Sequence, residues 1–264
     1  LDYSLVVLDE AHASNASTYA RLLAALPPGA RLLGLTATPF RCKASESLQE
    51  VFPQAGLVAG PPIAELVAQR RLVPPLVFAP LVRPAAKRAD APELLAGGLA
   101  LWLAHGRAER TVAFCGSIAA SRQLARLFEE HGVAAAHIDG GTPADERQRR
   151  LRQLKEGELT VLCNVDVASE GFDEPAVACV LLLRALGDEG LRLYIQQVGR
   201  ALRPAPGKAR CLVLDAVGAT HRYGPITGPP ASDYRFEEHA RAAAPLGKGA
   251  KRAAPAVRRC AECG

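Results

Sequence analysis

Two carboxylates stand side by side in Asp9-Glu10-Ala11-His12, directly behind the apolar run Leu5-Val6-Val7-Leu8. An uncharged run of this kind reads as a parallel strand covered on both faces. Open α/β sheets bind their ligands at the carboxyl ends of such strands. There one carboxylate can hold Mg²⁺, usually through water, while its neighbour orients and deprotonates an attacking water. A second apolar run, Leu32-Leu33-Gly34-Leu35, ends in Thr36-Ala37-Thr38-Pro39. The proline stops the ladder, and the two hydroxyls can bond to the Asp9–His12 loop. Further on, Leu191–Leu202 reads as a helix ended by Pro204, with Gln196, Arg200 and Arg203 at i, i+4 and i+7 on one face. Two guanidiniums aimed one way suit a triphosphate, because each is planar, bidentate and permanently charged. Taken singly, each feature has an ordinary counterpart: an acidic turn, a Thr-Pro turn, a solvated basic helix face.

Smaller features add to these. Gly171 and Asp173 follow the strand candidate Thr160–Cys163 by a short turn, and a glycine there lets a ligand approach the main chain. Ser117 opens a helix behind Thr111–Cys115; its hydroxyl and the first helical N–H groups form a phosphate site, or simply a helix cap. Cys260-Ala261-Glu262-Cys263 is half of a zinc ribbon, which needs four ligands, so Zn²⁺ is expected only if the other pair lies beyond Gly264.

These residues need a scaffold, and the pattern supplies one. Strand candidates are Leu5–Leu8, Arg31–Leu35, Leu76–Ala79, Thr111–Cys115, Ala134–Ile138, Thr160–Cys163, Ala178–Leu183 and Arg210–Leu214. Helical patterns lie between them at Pro62–Arg71, Glu93–His105 and Ser117–His131, and another opens at Thr142-Pro143, with Thr142 as its N-cap. Strand–helix alternation predicts an α/β fold with mainly parallel sheets. Prolines crowd residues 72–92 and suggest a boundary, giving expected domains at 1–74, 75–220 and 221–264. The first holds only two clear core strands and is expected to be cut at its N-terminus.

The chain has 264 residues, 49% of them hydrophobic and 22% charged, and no methionine. No window holds the roughly 18 uncharged apolar residues of a membrane helix. The net charge of +5 lies wholly in the 24 residues from Arg241, which read as a flexible basic tail; the preceding 240 balance. Cys42, Cys115, Cys163, Cys179 and Cys211 fall mostly in apolar runs and are expected to be buried free thiols of a reducing, cytoplasmic protein.

Five segments together resemble one family. Asp9-Glu10-Ala11-His12 and Thr36-Ala37-Thr38-Pro39 are similar to motifs II and III of superfamily 2 helicases. Phe114-Cys115-Gly116-Ser117 resembles motif IV, Ala168-Ser169-Glu170-Gly171-Phe172-Asp173 motif V, and Gln196-Gln197-Val198-Gly199-Arg200-Ala201-Leu202-Arg203 motif VI. The order is the family's, and the resemblance covers about residues 1–216. It is strongest to bacterial and phage DEAD/DEAH-box helicases with a ResIII-like core.

The resemblance implies two RecA-like domains with ATP and Mg²⁺ bound between them. Asp9 would position the metal and Glu10 the attacking water. His12, Thr36 and Thr38 would couple nucleotide state to domain closure. Arg200 and Arg203 would stabilise the γ-phosphate from the second domain, with Gln196, Gly171 and Asp173 beside the nucleotide. Ser117, Gly140 and Ser169 would touch the backbone of a nucleic acid, which implies sequence-independent binding. DNA is favoured by the overall resemblance, and no residue distinguishes it from RNA. No Gly-x-x-x-x-Gly-Lys-Ser/Thr loop occurs in the sequence; its Gly-Lys pairs, Gly207-Lys208 and Gly247-Lys248, lack the hydroxyl and the spaced glycine. The family carries that loop upstream of motif II, so these 264 residues by themselves are expected to hydrolyse ATP little or not at all. Two rival readings are a non-catalytic nucleic-acid-binding fragment and a restriction-type translocase that pumps duplex without unwinding it.

Overall fold

The computed structural model describes residues 4–11, 21, 23–27, 29–38, 51–52, 56, 58–80, 90–165, 174–185 and 190–228. They fall into two compact units, which divide between Pro62 and Ile63, with 190–192 grouped with the first. His12, Ser169, Gly171, Asp173, Cys42, Cys260, Cys263 and the tail from 229 lie outside the described residues.

In the first unit β1 (Leu5–Leu8) pairs in parallel with β2 (Arg31–Gly34), Leu5 opposite Arg31 and Leu8 opposite Gly34. Leu8 is buried, whereas Leu5, Val7, Leu33 and Leu35 present an exposed apolar face.

The second unit is built on six parallel strands, β3 (Pro75–Phe78), β4 (Thr111–Cys115), β5 (Ala135–Ile138), β6 (Val161–Asn164), β7 (Cys179–Leu183) and β8 (Cys211–Asp215), in the order β3-β8-β7-β4-β6-β5. Every residue of β4, β6, β7 and β8 is buried, as continuous apolar runs demand of central strands. The edge strands β3 and β5 are more exposed.

Among the described residues the strands are accompanied by the helices α1 (Ile63–Ala68), α2 (Pro92–His105), α3 (Ile118–Glu130), α4 (Ala144–Glu156), α5 (Leu191–Ala201) and α6 (Ala219–Tyr223). In α2, Leu94, Leu95, Gly98, Leu99 and Trp102 recur at helical spacing on the buried face. A Cβ on Gly98 would meet Leu183 Cδ2 at 2.6 Å, so glycine is what lets α2 lie close against β7. Trp102 meets Phe128 of α3 edge to face, with centroids 5.0 Å apart, and its indole N–H donates to Thr111 Oγ1 at 2.7 Å. The Thr111 hydroxyl in turn donates to the Glu109 carbonyl at 2.8 Å, so no polar atom of this cluster is stranded.

Cys115, Cys163, Cys179 and Cys211 are buried free thiols, as their apolar settings foretold. Burial pushes Cys179 and Cys211 up to about 12, which keeps them protonated and inert. Two local expectations are corrected. Thr142 does not cap α4: Pro143 stands at the cap, and the Thr142 hydroxyl turns back to Asp139, accepting its N–H at 2.9 Å. Helix α5 ends at Ala201, so Arg203 lies in the bend beyond it rather than on its last turn. The folded second unit also runs through residues 219–228, where Asp215 accepts the N–H groups of Ala219 and Thr220 and Ile226 is buried.

Candidate nucleotide and nucleic-acid sites

The carboxylate doublet sits where a strand end puts it. Beyond the β1–β2 ladder, Leu35 N–H donates to Leu8 O at 2.8 Å and Ala11 N–H to Leu35 O at 2.9 Å. These main-chain bonds join the Asp9–Ala11 turn to the Thr36–Thr38 turn at the carboxyl ends of both strands. The joint is tight, because a Cβ on Gly34 would lie 2.7 Å from Phe52 Cζ and 2.9 Å from Ala11 Cβ. Asp9 and Glu10 are exposed. Asp9 Oδ1 accepts the Glu10 N–H at 2.9 Å, and Glu10 itself has φ +49°, a left-handed conformation uncommon for residues other than glycine. Thr36 Oγ1 accepts the Thr38 N–H at 3.1 Å and donates to Thr38 O at 3.2 Å, a local hydroxyl turn. Thr38 is fully buried, and its own hydroxyl has no partner among the described residues.

The arginine pair belongs to the second unit. Tyr194, Gln197, Val198 and Ala201 form the buried side of α5, which leaves Gln196 and Arg200, one turn apart, half-buried on another. Arg203 follows in the bend. The next residue but one begins a reverse turn, Ala205-Pro206-Gly207-Lys208, closed by Lys208 N–H to Ala205 O at 3.1 Å with Gly207 at φ +76°. Proline second and glycine third is the sequence pattern of a type II turn, and it was the signal available for a lysine that sequence reasoning set aside. Lys208 Nζ donates to Pro175 O at 3.0 Å, Val177 O at 2.6 Å and Arg203 O at 2.8 Å. Burial pulls its pKa down to about 8.

Ser117 and Gly140 occupy the opposite, carboxyl edge of the same sheet, behind β4 and β5. Ser117 Oγ accepts the Ala120 N–H at 3.1 Å and caps α3. Gly140 is exposed. A side-chain network orders its loop: Ser121 Oγ lies 2.7 Å from His137 Nδ1, and His137 Nε2 lies 2.9 Å from Asp139 Oδ2. Asp139 Oδ1 accepts the Gly141 N–H at 2.8 Å. The structure therefore groups Asp9, Glu10, Thr36 and Thr38 in one place. Gln196, Arg200 and Arg203 form a second group, and Ser117 and Gly140 lie apart from it across the sheet.

The His137 hydrogen bond, helped by the Gly141 N–H, holds the Asp139 carboxyl below its ordinary value of 3.8, against the opposing effect of burial. A depressed carboxyl contributes stability that is complete above its unfolded pKa and lost as pH falls through the lower folded value. Asp139→Asn should lower stability at pH 7 by about 1.5–3 kcal/mol, the range for a hydrogen bond to a charged group. It should also flatten the decline below about pH 4. Thermal melts of both proteins from pH 7 to pH 2 check this; parallel curves would refute it.

The comparisons with known proteins bear on the same residues. The family model described as "Helicase conserved C-terminal domain" matches residues 90–205, and "Type III restriction enzyme, res subunit" matches 2–41. Together the two matches support a superfamily 2 helicase core. A 51.5 kDa protein of a Lactococcus phage is 27% identical over 246 residues, covering 88% of this chain and 53% of its own length. The chain thus spans about half the length of that relative. Two solved structures show the same fold. The ATP-dependent type ISP restriction-modification enzyme LlaBIII bound to DNA has a TM-score of 0.59 at 17% identity, over 92% of this chain and 20% of its own. Dbp5 of S. cerevisiae bound to RNA and ADP BeF3 has a TM-score of 0.54 at 17% identity, over 80% of this chain and 52% of its own. The six-stranded parallel sheet of this core is RecA-like, as the resemblance implied.

Among the described residues no group of three or more His, Cys, Asp or Glu could hold a metal ion by itself. Mg²⁺ asks for less: one or two carboxylates, waters and substrate phosphates. The exposed Asp9 carboxylate, a hard oxygen donor at a strand end, fits that demand. No helix among the described residues is long and apolar enough to cross a membrane.

Proposed function

We propose that this helicase core couples ATP hydrolysis to movement along DNA. What supports the reading most is one observation: a single chain holds a carboxylate doublet at the carboxyl end of a parallel strand and an arginine pair at the end of α5, each within a segment that a family model matches. Asp9 would hold Mg²⁺, which supplies charge for the developing phosphate. Glu10 orients and deprotonates the attacking water. Arg200 and Arg203 bind the phosphate charge, with Gln196, Gly171 and Asp173 beside the nucleotide, and His12, Thr36 and Thr38 relay its state. Ser117, Gly140 and Ser169 hold the strand by its backbone. Cys260 and Cys263 would supply two of the four ligands of a zinc ribbon.

DNA is preferred to RNA on the restriction-enzyme likenesses, which also favour a second reading, translocation on duplex without strand separation. The test is phosphate release by the full-length gene product, with and without single- and double-stranded DNA or RNA. Glu10→Gln should lower stimulated turnover by about 10²–10⁴-fold, the range for a general base. Residues 1–264 alone should show little turnover. Strand displacement set beside triplex displacement separates unwinding from translocation. Stimulated turnover that survives Glu10→Gln unchanged would end the proposal.

A further inference from the structure

Lys208 ties the end of α5 to the segment in front of β7. A lysine ammonium has three donors and no acceptor, and here all three meet main-chain carbonyls, those of Pro175, Val177 and Arg203. Two of the acceptors lie 33 and 31 residues upstream, in the stretch leading from the Gly171–Asp173 segment into β7. The third belongs to an arginine that the proposed function places at the phosphate. The Pro206-Gly207 turn aims the lysine back at them, and Leu202 O anchors the same stretch by accepting the Val73 N–H at 2.9 Å. Arg203 lies past the last turn of α5, so the helix's own hydrogen bonds do not fix its main chain.

We infer that Lys208 is a positioning residue, whose ammonium holds the main chain of Arg203 against residues 175–177 and so fixes where the guanidinium can point. The inference rests on the reading of Arg203 as a phosphate-binding residue. A displacement of about 1 Å in such a group costs on the order of 10²-fold in rate.

The test uses the full-length protein with Lys208→Met, which keeps the stem and removes the donors, and Lys208→Arg, which restores donors. Lys208→Met should lower kcat for ATP by about 10–100-fold at unchanged KM, and Lys208→Arg should recover much of it. On an Arg203→Ala background, Lys208→Met should add nothing. Hydrogen exchange should quicken in 203–208 and 174–178 together in Lys208→Met, while the thermal midpoint shows the variant is folded. A folded Lys208→Met with unchanged kcat, an equal loss on both backgrounds, or faster exchange in only one segment overturns the inference. If Arg203→Ala itself leaves kcat unchanged, the reading of Arg203 has failed, and the exchange result still decides whether Lys208 clamps the two segments.

Discussion

Arg200→Ala should lower DNA-stimulated ATP turnover of the full-length protein by about 10³-fold or more, with a much smaller change in ATP affinity. The size of the effect follows from when the charge is needed. Negative charge on the transferring phosphoryl group is greatest during transfer, so a guanidinium placed there lowers the barrier far more than it tightens binding. Lysine is a poor substitute, since an ammonium is a point charge without the flat bidentate fork; Arg200→Lys should recover little. Arg200 is suited to the role because Tyr194, Gln197 and Val198 seat the other side of α5 in the core, which holds its backbone still. Phosphate release and nucleotide binding measured on the same preparation separate the two effects. A variant that binds ATP weakly but turns it over at the normal rate when saturated would show that Arg200 serves ground-state binding only.

Trp102→Ala should destabilise the second unit by about 3–5 kcal/mol, a large share of the roughly 5–15 kcal/mol by which a folded protein is stable. Trp102 is 1% exposed and joins α2 to α3 through Phe128 and to β4 through Thr111. Truncation leaves a cavity between two helices and a sheet, and removes the donor to Thr111 Oγ1. Trp102→Phe keeps an aromatic edge for Phe128 but not the N–H, and should cost less. Chemical denaturation followed by circular dichroism measures both. An alanine variant within about 1 kcal/mol of the parent would mean that the site collapses without penalty. Trp102 is the sole tryptophan of these 264 residues, so its emission within them reports on this unit alone.

The sheet could be read ahead of the structure wherever strands are buried on both faces. Thr111–Cys115 is found as expected, Cys179–Leu183 starts one residue later than expected, and Cys211–Asp215 is shifted by one residue at both ends. Continuous apolar runs leave little choice there. Arg203 was harder: helical spacing continues on paper to Pro204, but helices fray in their last turn, and the end is set by hydrogen bonds. Thr142 misled because Asp139, three residues earlier, competes for its hydroxyl. For Lys208 the Pro-Gly turn was legible but the contacts were not: its partners are carbonyls, which every residue carries, so no side-chain pattern marks them. The Ser121–His137–Asp139 network was hidden likewise, because it needs α3 and β5 brought together before the residues can meet.

The strand order has a consequence for how the molecule is made. β3 is an edge strand whose partner in the sheet is β8, so Pro75 must wait for Cys211, 136 residues later. At ordinary rates of synthesis that interval is roughly 7–27 s. Throughout it, the apolar Pro75–Phe78 segment has emerged with nothing to pair with. Pairing across so long a loop is also slow once the partner arrives. The ribosome and its attendant chaperones therefore meet this domain as an unclosed sheet, and its first strand is the last to find its place.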